Sequence, residues 1–227
     1  ISKIFMFMKD IFKLLRVKQW IKNFFVFGPI IFSKHLFDVQ YVSASFLAFL
    51  SFCFLSSTIY IINDIIDIES DKLHPIKRNR PIPSKRISIP VAIIIAIILL
   101  LIVIFINVFL DQYFQLVSVS YFILNILYTF WFKHIVILDV FSIAGGFMLR
   151  VLGGAIVINV PASPWLIICT LFISLFLAFA KRRSEIVTIE DKQNSTTRKV
   201  LDDYDLGFLD IMLVITSSGM AISYSLY

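Results

Sequence analysis

The sequence predicts an all-α protein, a bundle of helices that crosses a membrane several times. Of its 227 residues, 59% are hydrophobic and only 16% are charged, a composition that excludes an ordinary soluble domain. Uncharged runs at residues 39–63 and 87–110 each exceed the roughly 20 residues that a helix needs to cross the hydrocarbon core. We therefore expect residues 1–227 to form a single transmembrane domain.

The first third of the chain alternates between basic and apolar segments. Lysine and arginine are mixed with large apolar side chains in residues 1–19, which predicts an amphipathic helix on the membrane surface. A first span is expected at residues 20–37, where Gly28-Pro29 makes an interruption, and the first uncharged run forms the second span. Residues 64–88 then form a loop that is acidic at its start and basic afterwards.

Five further spans are predicted after this loop, which brings the total to about seven. They cover residues 91–110, 112–132, 135–158, 165–180 and 206–227. Charged or proline-containing turns separate them, at Asp111, at Lys133-His134 and at Pro161 with Pro164. A second loop, at residues 181–205, is polar and mostly charged.

The basic residues predict how the protein is oriented. If the N-terminus lies on one side of the membrane, the segments on that side contain all of the 21 lysines and arginines except Lys34 and Arg150. These segments precede the first span, join the second to the third and the fourth to the fifth, and follow the sixth. Because basic segments stay on the cytoplasmic side, we expect the N-terminus and both loops to face the cytoplasm across the inner or plasma membrane. The net charge of +6 then reflects the membrane surface and does not indicate a nucleic-acid partner.

Four polar residues at the start of the first loop share one face of a helix. They are Asn63, Asp64, Asp67 and Asp71. At the helical repeat they fall within an arc of about 100°, and stacked carboxylates repel one another unless a cation lies among them. Oxygen ligands suit Mg²⁺, and the basic residues Lys77, Arg78 and Arg80 follow as candidates for binding phosphate. The pattern indicates a Mg²⁺–diphosphate site in which the three aspartates bind the metal and, with Asn63, act in catalysis. A solvated charged loop is the alternative.

Ionisable residues are also predicted inside the fifth span. Asp139 and Arg150 lie with Gly146 and Gly153 on one helical stripe. Charges within a span usually face a polar interior, and glycines let a neighbouring helix or a ligand come close. Asp139 and Arg150 are therefore candidate substrate-binding residues, with a structural contact between helices as the alternative.

Three further groups of candidate substrate-binding residues lie at the ends of spans. Each has an ordinary alternative: lysines that reach the membrane surface, part of an aromatic belt, or a basic cluster that stops membrane insertion. The groups are Lys18, Lys22 and Asn23 where the first span begins, Tyr128 and Lys133 at the end of the fourth span, and Lys181, Arg182 and Glu185 after the sixth.

The first loop resembles the first signature of the UbiA superfamily of intramembrane prenyltransferases, because it reads Asn63-Asp64-x-x-Asp67-x-x-x-Asp71 and continues to Arg80-Pro81. The resemblance covers nearly the whole chain and is strongest to the phosphoribosyltransferase branch. It extends to Arg16-x-Lys18-Gln19-Trp20-x-Lys22-Asn23, His74-Pro75-x-Lys77-Arg78, Leu149-Arg150 with Gly153-Gly154, and Lys181-Arg182-x-x-Glu185. It implies a bundle of typically nine spans, the last two beyond this chain, with a cavity in which Mg²⁺ bridges acidic motifs and a diphosphate.

The second loop departs from the aromatic prenyltransferases of that superfamily. Those proteins carry a second aspartate-rich motif there, whereas this loop begins Lys181-Arg182-Arg183 and no clear Asp-x-x-x-Asp follows. A basic cluster suits a water-soluble donor that carries a diphosphate and another phosphate. The resemblance therefore implies Mg²⁺-dependent transfer of a 5-phosphoribosyl group from 5-phosphoribosyl 1-diphosphate to a polyprenyl phosphate, a step toward lipid-linked sugar precursors, with release of pyrophosphate.

Two alternative functions stay open. An aromatic prenyltransferase would use a polyprenyl diphosphate as donor, and competition between donors would separate it from the phosphoribosyl reaction. A transporter or ion pathway lined by Asp139, Arg150 and the acidic face would be favoured by inverted repeats, which the sequence does not show. Membrane lipids are expected partners under every reading.

Overall fold

Helices dominate the computed structural model, which describes residues 2–190 and 203–226. In chain order the α-helices are α1 (Ser2–Leu14), α2 (Gly28–Phe32), α3 (Val39–Ile66), α4 (Ile68–Leu73), α5 (Ile89–Val108), α6 (Gln112–Phe130), α7 (Leu138–Val157), α8 (Pro164–Glu190) and α9 (Leu206–Leu226). Between them lie 3₁₀ helices at Val17–Phe27, Lys77–Asn79 and Phe132–His134. The prediction of an all-α protein is confirmed.

In the described part of the chain, six helices are long and apolar enough to cross a membrane: α3, α5, α6, α7, α8 and α9. They correspond to the second to seventh predicted spans and make this an integral membrane protein. α3 and α7 are central, because 61% and 56% of their most apolar stretches are buried, against 28% or less in the other four. The outer four helices therefore leave most of their apolar surface for lipid.

The segment predicted as the first span is divided into two shorter pieces. The 3₁₀ helix Val17–Phe27 leads into α2, which lasts only five residues. The division falls at Gly28-Pro29, because proline has no N–H to extend the preceding helix and favours the first turn of a new one. Together the two pieces are shorter than the roughly 20 residues of a spanning helix.

The 3₁₀ helix Val17–Phe27 packs closely on α7 at Gly154. A Cβ added at Gly154 would lie 2.0 Å from the carbonyl oxygen of Val26, a residue that is completely buried. The neighbouring Gly153 faces the rings of Phe52 and Phe114. Here the glycines of α7 serve close packing of protein segments, one of the two roles expected from the sequence.

Replacing Gly154 with Ala is expected to lower the free energy of unfolding by about 1–3 kcal/mol, because the new methyl group must push a neighbouring backbone away from α7. The matched control is Gly28→Ala, where an added Cβ meets only Leu166, at an ordinary distance of 3.8 Å. Unfolding of both variants in the same detergent measures the difference. Equal stability of the two variants would contradict the close contact.

α1 is the helix predicted at the N-terminus, and most of its large apolar side chains are exposed. Phe5 and Phe12 are exposed, whereas Leu14 is completely buried. Oδ1 of Asp10 lies 2.8 Å from Nη1 of Arg86, so that an ion pair holds α1 against the first loop. The location of α1 on the membrane surface stays a prediction.

Both predicted loops are partly helical. The acidic part of the first loop is the end of α3 together with α4. α8 continues into the second loop as far as Glu190, because residues 181–190 contain neither glycine nor proline to end the helix. Residues 191–202 of the predicted second loop lie outside the described residues.

Candidate active site

The acidic motif lies where α3 ends and α4 begins. Asp64 and Asp71 are both 2% exposed. Nη1 of Arg80 lies 3.0 Å from Oδ1 of Asp64 and 2.6 Å from Oδ2 of Asp71, so that one guanidinium nitrogen joins the two carboxylates. Lys77 adds a longer contact, with its Nζ 4.0 Å from Oδ1 of Asp71.

A second guanidinium, that of Arg16, also pairs with Asp64. Arg16 lies between α1 and the 3₁₀ helix with φ 51° and ψ 44°, a left-handed conformation that costs roughly 1–2 kcal/mol for a residue with a side chain. Its guanidinium carbon is 4.6 Å from the centre of the Tyr60 ring, which adds a cation–π contact. These contacts offset the backbone strain and direct Arg16 onto the acidic motif.

Asp67 pairs with a different cation. α3 ends at Ile66, and Asp67 has a non-helical ψ of 12°; its Oδ1 lies 2.9 Å from Nζ of Lys133. One turn earlier, Oδ1 of Asn63 is 2.5 Å from the hydroxyl of Thr129. The end of α6 and the turn after it are thus brought onto the acidic motif. The structure gathers the four predicted catalytic residues at one end of the bundle. Because the helix is interrupted at Asp67, Asp67 pairs with Lys133, whereas Asp64 and Asp71 share Arg80.

The predicted magnesium site can be compared with this arrangement. Among residues 2–190 and 203–226, no three His, Cys, Asp or Glu side chains converge closely enough to hold a metal as they stand. A positively charged nitrogen of Arg80 instead lies between Asp64 and Asp71. Two carboxylates around one cation fit Mg²⁺, which usually takes one or two carboxylates and completes its shell with water and phosphate oxygens. The metal-binding roles of Asp64, Asp67 and Asp71 stay predictions.

Arg150 lies in the interior and is fully engaged by other protein groups. It is 5% exposed, and it donates to Oδ1 of Asn23 at 2.7 Å, to the hydroxyl of Tyr121 at 2.7 Å and to the carbonyl of Gly146 at 2.8 Å. It therefore ties the 3₁₀ helix Val17–Phe27 to α6 and α7. Burial, and to a smaller extent the nearby charge of Arg150, lowers the pKa of the Lys22 amine.

A second buried network joins the start of α7 to α8. Asp139 and Arg182 are both completely buried, with Nε of Arg182 2.9 Å from Oδ2 of Asp139 and its Nη1 2.5 Å from Oε2 of Glu185. The Tyr204 hydroxyl donates to Oδ1 of Asp139 at 2.6 Å and accepts from the N–H of Ile137 at 2.8 Å. Burial and the hydrogen bond to Asp139 raise the pKa of the Tyr204 phenol. The sequence predicted that Asp139, Arg182 and Glu185 bind substrate; their contacts here are with one another.

The remaining predicted binding residues are at least partly accessible. Lys18 and Arg78 are exposed, and Tyr128 is half-buried. The Lys181 side chain is 50% exposed, and its Nζ lies 3.9 Å from Oε1 of Glu185. The structure leaves their roles in substrate binding untested.

Four residues that complete these contacts are not among the predicted site residues, although Arg16 stands in a motif that carries the family resemblance. They are Arg16, Tyr121, Thr129 and Tyr204. Two of them carried a recognisable signal. Tyr121, Asn125 and Thr129 recur every four residues along α6, and a polar stripe within an apolar span usually faces the interior of the bundle. Asn125 donates to the carbonyl of Tyr121 at 2.8 Å, while the hydroxyl of Thr129 reaches the acidic motif.

Comparison with known proteins identifies a family and individual proteins whose sequences are similar to this chain. The sequence model of the UbiA prenyltransferase family matches residues 24–198. A protein named decaprenyl-phosphate phosphoribosyltransferase from Mycolicibacterium smegmatis is 31% identical over 95% of this chain and 69% of its own length. The protein of the same name from Corynebacterium glutamicum is also 31% identical, over 95% of this chain and 66% of its own length. The chain therefore spans about two thirds of the length of these relatives.

A solved structure shows the same fold. It is that of a UbiA homolog from Archaeoglobus fulgidus bound to DMAPP and Mg²⁺, which aligns with a TM-score of 0.74 over 94% of this chain and 76% of its own. The two sequences are 19% identical, so that the likeness concerns the arrangement of helices.

Proposed function

This chain belongs to the UbiA prenyltransferase family, and on that basis we propose that it transfers a 5-phosphoribosyl group from 5-phosphoribosyl 1-diphosphate to a polyprenyl phosphate and releases pyrophosphate. The two relatives named decaprenyl-phosphate phosphoribosyltransferase, similar over nearly all of this chain, support the substrate class. The family assignment agrees with the resemblance identified from the sequence. The proposal includes an orientation in which the acidic motif faces the cytoplasm, where the basic segments are expected to lie.

The observation that carries the proposal is the pairing of the acidic motif with more cations than it needs. Four cations contact its three carboxylates: Arg16, Lys77, Arg80 and Lys133. A diphosphate with its metal ion is complementary to both halves of this cluster, because the carboxylates suit the metal and the cations suit the phosphate oxygens. Binding would therefore exchange internal ion pairs for pairs with the ligand, without leaving a buried charge unpaired.

The proposed reaction requires little from the protein beyond binding the substrates and stabilising charge. The acceptor phosphate is already an anion near neutral pH, so that it can attack the anomeric carbon of the ribose without a general base. The bond from that carbon to the diphosphate breaks, and pyrophosphate leaves with the electron pair. Arg16, Arg80 and Lys77 would hold phosphate oxygens and stabilise the charge that develops on the leaving group. Mg²⁺ held by Asp64 and Asp71, with Asp67 if it leaves Lys133, would neutralise further charge on the pyrophosphate.

Competition between donors separates this proposal from aromatic prenyl transfer. We expect 5-phosphoribosyl 1-diphosphate to bind purified protein more tightly than ribose 5-phosphate, which has no diphosphate, and to be displaced by pyrophosphate. A polyprenyl diphosphate should compete weakly in the same assay. Tight binding of polyprenyl diphosphate with no measurable affinity for the phosphoribosyl donor would instead favour the aromatic prenyltransferase.

A further inference from the structure

A cavity of about 730 Å³ is lined by α1 and the residues that follow it, 16–19, and by the segment 76–81 of the first loop. Its volume falls in the range of ordinary small-ligand sites. No carboxylate belongs to its described lining, which includes six basic side chains: Lys9, Lys13, Arg16, Lys18, Lys77 and Arg80. It is therefore strongly positive on several sides at once.

Three of these cations have no acidic partner within the described chain. Among the residues whose side chains the structure describes, 5–187 and 203–226, no carboxylate forms an ion pair with Lys9, Lys13 or Lys18. Lys9 and Lys13 are one helical turn apart on α1, a spacing at which like charges repel. Asp10, the one acidic residue of α1, pairs with Arg86 instead. A bound anion would relieve this repulsion.

The wall that carries these lysines is fixed in place. Leu14, at the end of α1, is completely buried in an apolar cluster with Ile61 and Ile82. The carbonyl of Leu15 accepts a hydrogen bond of 2.7 Å from the hydroxyl of Ser57 on α3. Together with the Asp10 ion pair, these contacts hold Lys9 and Lys13 opposite the first loop without any help from a ligand.

The lining also has an apolar part. Phe12 is 54% exposed and Ile76 is 68% exposed, and both line the cavity. A site with cations on its walls and exposed apolar side chains beside them suits a phosphate group, either on the head of a lipid or on a soluble molecule.

We propose that this cavity is a phosphate-binding site, in which Lys9 and Lys13 of α1 act together with Arg16 and Arg80. The carboxylates of the acidic motif are not among its lining residues, although Arg16 and Arg80 contact both the cavity and Asp64. Arg16, Lys77 and Arg80 also belong to the proposed donor site, so that Lys9 and Lys13 are the lysines that distinguish the cavity from it.

The test compares two variants with the same net charge. K9Q/K13Q removes two lysines of the cavity, whereas K34Q/K85Q removes two lysines that do not line it. Lys9 and Lys13 are exposed side chains on a helix, and glutamine is as good a helix former as lysine. The dissociation constants of a short-chain polyprenyl phosphate, the matching polyprenol and inorganic phosphate are measured on folded protein in a nonionic detergent.

We expect K9Q/K13Q to weaken binding of polyprenyl phosphate, of inorganic phosphate or of both by at least about tenfold, because two charge-assisted contacts are lost. An effect on the lipid phosphate alone identifies a headgroup, and an effect on inorganic phosphate identifies a site open to soluble phosphates. K9R/K13R, which keeps both charges, should bind like the wild type. The proposal is overturned if neither phosphate ligand binds more weakly, if polyprenol is affected equally, or if K34Q/K85Q has the same effect. Because no turnover is involved, failure of the proposed reaction would leave this result unchanged.

Discussion

Replacing Asp64 with Asn is expected to reduce turnover at least about 100-fold without unfolding the protein. Asparagine keeps the shape of the side chain but removes the charge that two guanidinium groups share. Arg80 keeps its contact with Asp71 at 2.6 Å, and Arg16 keeps its cation–π contact with the ring of Tyr60. The fold should therefore survive, while the site loses one of the carboxylates that the proposal assigns to the metal.

Initial rates at saturating Mg²⁺, together with thermal unfolding, measure the two effects separately. Glu69→Gln is the matched control, because the Glu69 side chain is 80% exposed and pairs with Lys72. It should retain nearly full activity. Near-normal turnover of the Asp64 variant would exclude a charge-stabilising role for the acidic motif.

Replacing Arg182 with Gln is expected to lower the free energy of unfolding by about 3–5 kcal/mol. The change leaves the carboxylate of Asp139 completely buried with no cation beside it, and an unpaired buried charge is far more costly than a missing ion pair. The adjacent Arg183→Gln is the matched control, because Arg183 pairs with Asp210 on the surface. It should leave the unfolding midpoint almost unchanged.

A double variant tests the cause. Asp139→Asn with Arg182→Gln removes both charges, and it should be more stable than the Arg182 variant alone. If the double variant is no more stable, or if Arg182→Gln unfolds like Arg183→Gln, then an unpaired charge on Asp139 is not the cause of the destabilisation.

The sequence predicted the spanning helices well because their signal is local. An uncharged apolar run as long as α5 predicts a membrane-spanning helix by its length and composition alone. The segment predicted as the first span, residues 20–37, is divided at Gly28-Pro29, where the sequence already indicates an interruption, and its two pieces are too short to form a spanning helix. The close contact at Gly154 depends on the shape of α7, which no local pattern predicts. The sequence does not predict the continuation of α8 to Glu190, because a polar segment favours a loop, although this segment lacks helix-breaking residues.

The composition of the candidate site was predicted better than its pairing. The acidic motif and the basic segment after it were identified by residue type and spacing. The partners of Asp64 and Asp67 were not, because Arg16 and Lys133 are 48 and 66 residues away and meet them only when α1 and α6 pack on α3. Asp139 and Arg182 were each selected as ligand-binding residues, yet opposite charges at the ends of consecutive spans also predict the ion pair that the structure contains.

Transfer of label into lipid tests the central claim most directly. Purified full-length protein, Mg²⁺ and radiolabelled 5-phosphoribosyl 1-diphosphate are incubated with or without a polyprenyl phosphate, and lipid is then extracted with organic solvent. We predict that label appears in the lipid phase only when polyprenyl phosphate is present, with one pyrophosphate released for each phosphoribosyl group transferred, and that Asp64→Asn abolishes both. Label that stays in the aqueous phase, while the same protein prenylates an aromatic acceptor from a polyprenyl diphosphate, would contradict the account.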